Sequence, residues 1–110
     1  MVQKQTELLR GTLDLLVLKA LSLKPLHGVG ISRRITQITE EAFQVSFGSL
    51  FPALHRMEEK GWVDAEWRAS DNNRRAKYYR LTAAGRAQLK DEERQWNQVV
   101  KIMTAAVQSS

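Results

Sequence analysis

Apolar positions crowd the start of the chain: Leu8, Leu9, Leu13, Leu15, Leu16, Val17, Leu18, Ala20, Leu21 and Leu23 leave a helix over 8–23 little polar surface. Such a helix is expected to be buried on nearly all sides. A small domain covers one face with its own core, so the other face is expected to meet a second subunit. Pro25, His27 and Gly28 then break the pattern. In the short helix that follows, Ile31, Ile35 and Ile38 recur at i, i+4 and i+7, with Arg33 and Arg34 on the outer face.

After the polar stretch at Glu40 and Glu41, Ser46 and Ser49 offer capping hydroxyls and Pro52 suits a first turn. Leu50, Leu54 and Met57 form the apolar stripe of a third helix over about 46–60, and Gly61 supplies its stop. Ser49, Phe51, His55, Arg56 and Glu59 fall on its outer faces, a mixture suited to phosphates and base edges. Two strand-like runs come next, about 63–69 and 77–81, joined by the turn Ser70-Asp71-Asn72-Asn73. Thr82 is placed to cap a last helix over about 83–107. There Leu89, Trp96, Val99, Val100, Met103 and Val107 make an apolar seam that nothing left in the chain would cover. With Leu9, Leu13 and Leu16 from the first helix, these residues are the expected dimer interface.

Length and composition narrow the class. A chain of 110 residues, 43% hydrophobic with two prolines, suits one compact domain, divided here into a region over 1–82 and a C-terminal dimerisation helix over 83–110. The absence of cysteine removes disulfides, thiol nucleophiles and Cys-based zinc sites, and a reducing cytoplasm is the natural setting. No apolar run approaches the roughly 20 residues of a membrane span, and the polar start is unlike a secretory signal. Neither a nucleophile–base pair nor a glycine-rich phosphate loop is evident, so no catalytic residue, cofactor or metal is expected.

Charge adds a direction. The net charge is +5, and residues 68–80 carry Arg68, Arg74, Arg75, Lys77 and Arg80 against Asp71, which places +4 of it in one hairpin. Such a finger can lie against a phosphate backbone or enter a minor groove, though by composition alone it is equally a solvated loop. The order of three helices, a basic β-hairpin and a long apolar-seamed helix is that of a winged helix-turn-helix with an added dimerisation helix. The fold class is therefore mainly α with a small β-hairpin (α+β).

Four motifs then carry a resemblance: Leu9-Arg10-Gly11-Thr12-Leu13-Asp14; His27-Gly28-Val29-Gly30-Ile31; Gly48-Ser49-Leu50-Phe51-Pro52-Ala53-Leu54; and Lys77-Tyr78-Tyr79-Arg80-Leu81-Thr82 with Gly85. In that order, over roughly 8–107, the chain resembles the PadR family of transcriptional regulators. The resemblance implies a homodimer on double-stranded inverted-repeat DNA, usually a repressor, released in some members by a small molecule. Carried over, Ser46, Ser49, Phe51, Pro52, His55 and Arg56 would face DNA from the third helix, and Arg74, Arg75, Lys77 and Tyr78 from the wing. Phe51 stands where the family often has tyrosine, and Val29 where an aromatic is frequent. Trp96 falls where some short members stack flat aromatic ligands, so a planar aromatic effector is a candidate partner; an interface tryptophan is the simpler reading.

Trp62 and Trp67 read as core or sheet-packing residues, His27 as a local turn hydrogen bond, and His55 as a phosphate contact or an exposed polar group. The competing function is a non-specific architectural DNA- or RNA-binding module without an effector.

Overall fold

The computed structural model describes residues 12–110. Within them the chain forms α1 (Leu13–Ala20), β1 (Leu26–His27), α2 (Gly28–Ile38), α3 (Phe47–Glu59), β2 (Val63–Ala69), β3 (Arg75–Leu81) and α4 (Ala83–Gln108). Three antiparallel strands in the order β1-β3-β2 extend the expected hairpin by one short edge strand. Leu26 and His27 carry no strand-like alternation, and their pairing with Tyr79 and Tyr78 is decided by tertiary contact. The fold is a winged helix of mixed α and β content.

Side-chain chemistry accounts for the element ends. Ser46 caps α3 by accepting from the Ser49 N–H, so of the two expected capping hydroxyls only that of Ser46 does this work. Gly61, at φ 77°, closes the same helix with paired bonds from Gly61 N–H to the Glu58 carbonyl and from Trp62 N–H to the Met57 carbonyl. Pro52 lies inside α3 rather than in its first turn, and having no N–H it cannot bond the Gly48 carbonyl one turn earlier. Thr82 accepts from the Gly85 N–H at the head of α4 and donates to the Gly61 carbonyl at 2.6 Å, which ties that helix to the α3–β2 turn.

Val17, Leu18 and Leu21 pack with Ile31 and Ile35, with Leu50, Leu54 and Met57, and with Val63, Tyr79 and Leu81. The first helix is shorter at its far end than expected: it stops at Ala20, Ser22 bonds the Lys19 carbonyl through both its N–H and its hydroxyl, and Leu23 is exposed. Leu89 is buried in this same core, so it does not join the open seam expected of it. Leu9, expected at the interface, lies outside the described residues.

Candidate nucleic-acid interface

The strand register sorts the wing into two faces. Val63, Ala65, Trp67 and Ala69 stand opposite Leu81, Tyr79, Lys77 and Arg75, and directly opposed residues share a face. The first two pairs cover the core; the last two run past it. Trp67, expected to pack, is consequently 58% exposed. Tyr78 points the other way. Its ring meets His27 edge-on at 5.2 Å and lies 4.0 Å from the Arg68 guanidinium, outside the cleft described next.

Between the head of α2, the first turns of α3 and the wing lies an open cleft of about 510 Å³. Its walls carry Val29, Phe51 and Trp67 together with Arg33, Arg74, Arg75 and Lys77. Each is positioned by a local cause. His27 opens α2 by accepting the Gly30 N–H on its Nδ1 at 3.0 Å, the turn role expected of it, and this sets Val29 and Arg33 one helical turn apart on the same side. Phe51 rests its ring tip on Gly28, where an added Cβ would stand 2.6 Å away, and its ring centre is 5.8 Å from that of Phe47. The wing tip turns through Asn73 at φ 63°, with Asn73 N–H bonded to the Ser70 carbonyl and Ser70 N–H to the Arg74 carbonyl. Arg75 holds its guanidinium 5.7 Å from the Trp67 ring.

Among the described residues Arg33 and the expected DNA-facing Arg74 and Arg75 have no carboxylate partner, whereas the expected Arg56 and Lys77 do. Arg56 pairs with Asp14 of α1, and Lys77 Nζ lies 3.2 Å from Glu58 Oε1. His55 and Pro52 are exposed on the outer ridge of α3, with His55 Nε2 3.6 Å from Glu59 Oε2. Ser46 is exposed at the cap, and Ser49 is half-buried behind it. Sequence reasoning missed Arg33, Trp67 and the exposed Phe47. The signal for Trp67 was the unbroken alternation from Val63; for Arg33 it was the spacing of four from Val29.

A second groove, of about 490 Å³, runs between α4 and the first two helices and is lined by Leu15, Leu16, Lys19, Ile38, Glu93, Trp96 and Asn97. Lys19 and Glu93 close one side as an ion pair at 3.2 Å. Beyond it Val99, Val100, Ile102, Met103 and Val107 leave α4 with an exposed apolar flank, while Leu13 and Leu16 pack partly against the core. No helix among the described residues is long and apolar enough to cross a membrane.

Helices α2 and α3 followed by the β2–β3 wing define a winged-helix protein. The chain belongs to the PadR-like family of transcriptional regulators, whose family model matches residues 17–91. Similar proteins include the transcriptional regulator Rv3488 of Mycobacterium tuberculosis, 33% identical over 88 residues, which are 80% of this chain and 78% of that one. Among solved structures, a PadR-like transcriptional regulator from Bacillus cereus superposes with a TM-score of 0.81 at 26% identity, covering 94% of this chain and 99% of that one. A PadR family transcriptional regulator from Eggerthella lenta also gives 0.81, at 27% identity, with 98% of this chain and 92% of that one covered.

Proposed function

We propose that this regulator acts as a homodimeric repressor that seats α3 and the wing of each subunit on an inverted-repeat operator in duplex DNA. The observation that carries the reading is the α3–wing cleft, where Arg33, Arg74 and Arg75, with no carboxylate partner among the described residues, surround exposed Phe51 and Trp67. Guanidinium groups suit phosphate oxygens, and the aromatic rings suit sugars and base methyls. Pro52, His55 and the Ser46–Ser49 cap are the α3 residues turned toward the duplex in this arrangement.

The dimer is supported by the apolar flank from Val99 to Val107, which stands exposed beyond the groove at Trp96. Pairing through α4 makes 83–110 the assembly element and leaves the region over 1–82 to hold DNA. A planar aromatic effector suits the groove beside Trp96, whose volume lies within the range of roughly 300–1,000 Å³ usual for small-molecule sites. The cytoplasm, where the chromosome lies, is the compartment this function requires.

Footprinting against genomic fragments tests the reading. The expected result is protection of a two-fold symmetric site, with about 1–3 kcal/mol lost for each mismatched base pair. Equal affinity for that site and its scrambled version at matched salt would establish the architectural module instead.

A further inference from the structure

Helix α3, the reading helix of the proposed complex, is held on both flanks by carboxylates that belong to the protein. On one side Glu58 takes Lys77 of the wing; on the other, Asp14 Oδ1 accepts from Arg56 Nη2. Asp14 sits in the first turn of α1, where the helix dipole favours a carboxylate. That helix is anchored at its other end through Lys19 to Glu93 of α4. The Asp14 side chain is 22% exposed, and that of Arg56, its partner 42 residues away, is 47% exposed. Arg56 and Ser49, seven residues apart, share the flank of α3 that turns to α1, whereas Pro52, His55 and Glu59 occupy the outer ridge. A guanidinium on that flank lies at the edge of the face assigned to DNA.

We propose that Asp14 is a positioning residue that stands in for a phosphate: its carboxylate occupies the Arg56 guanidinium and withholds that cation from DNA. The inference rests on the assignment of α3 and the wing to the duplex. Carboxylate and phosphate offer the same planar fork of donors equivalent oxygens, so the two compete for Arg56. Each phosphate contact strengthens binding to every sequence by release of counterions. An internal competitor thus caps the sequence-independent affinity of the regulator without altering any group that meets a base.

The test is equilibrium binding of the full chain to a random-sequence duplex across a salt series, for the parent, Asp14→Asn and Asp14→Asn/Arg56→Gln. Asp14→Asn is expected to steepen the plot of log affinity against log salt by about 0.9 per subunit and to raise affinity about five- to tenfold per subunit at 0.1 M salt. The double variant, which restores the parental net charge, is expected to return to the parental slope. Glu92→Gln makes the same charge change on α4 and is expected to leave the slope alone. An unchanged slope in Asp14→Asn, or a steepening that Glu92→Gln reproduces, overturns the proposal. So does a double variant shallower than the parent, since Arg56 would then already be on phosphate. Should Asp14→Asn melt below the assay temperature, Asp14→Ser, which frees Arg56 in the same way and keeps a hydroxyl in the first turn of α1, takes its place in a series run at lower temperature and is expected to give the same steepening. A parent that binds no duplex at low salt removes the DNA assignment itself, whereas a binding parent with no Asp14 effect removes only this inference.

Discussion

Glu40 and Glu41 hold φ values of 53° and 65°, a conformation in which any side chain crowds its own carbonyl. They accept it to close α2: Glu40 N–H bonds the Gln37 carbonyl at 3.0 Å, and Glu41 N–H the Thr36 carbonyl at 2.8 Å. Gly61 performs the equivalent closure of α3 with no Cβ to crowd. Glu40→Gly is therefore expected to stabilise the protein by about 0.5–1 kcal/mol, read as a higher denaturant midpoint at an unchanged slope. A lower midpoint would mean that the flexibility gained by the unfolded chain outweighs the relieved strain. Trp67 poses the opposite question, since its indole lies open to solvent beside Arg75. If it packs on the sugar edge of a duplex, Trp67→Ala should cost about 1 kcal/mol of DNA affinity at every salt concentration, because an uncharged ring displaces no counterion. Unaltered binding would leave that ring outside the interface.

At the level of elements, the wing is where charge and geometry separate. Arg74 and Arg75 lie at its tip without carboxylate partners among the described residues, while Lys77, two positions on, is tied to Glu58. Replacing Arg74 and Arg75 together by alanine is expected to weaken binding to all duplexes and to flatten the salt dependence by about 0.9 for each phosphate no longer neutralised. An intact slope would take the wing off the backbone. Helix caps, the α3 stripe and the hairpin were legible beforehand because Ser46, Gly61, Thr82 and the spacing of Leu50, Leu54 and Met57 are local signals. The edge strand at Leu26–His27 was not, because two residues carry no period and their pairing is made by β3. Trp67 and Leu89 exchanged expected places for a related reason. Alternation and helical spacing say which face a residue takes, but only the extent of the core says whether that face is covered. The partners of Arg56 and Lys77 lie 42 and 19 positions away and leave no trace in any local pattern.

For the whole molecule, α4 sets the shape: 26 residues, about 39 Å of helix, in a body whose longest dimension is 58 Å. Its head is fixed firmly, since a Cβ at Gly85 would stand 2.0 Å from the Trp62 carbonyl oxygen, leaving no room for a larger residue. Its far half projects Val99, Val100 and Met103 into solvent. A glutamate at Met103 would place a charge in the middle of the proposed interface, so Met103→Glu is expected to sediment as a monomer and to lose operator binding with its fold intact by circular dichroism. A dimer that survives this change would relocate the interface.

From Arg94 onward every side chain of α4 is exposed, and a free-standing helix of about fifteen residues is only marginally stable in water. In the paired arrangement proposed here, a subunit without its mate keeps a sound core but carries an unsupported tail for proteases to grasp. Scarcity would then shorten the lifetime of the regulator, and abundance would protect it, so that its cellular stock depends on the same contact that brings two reading helices to one site.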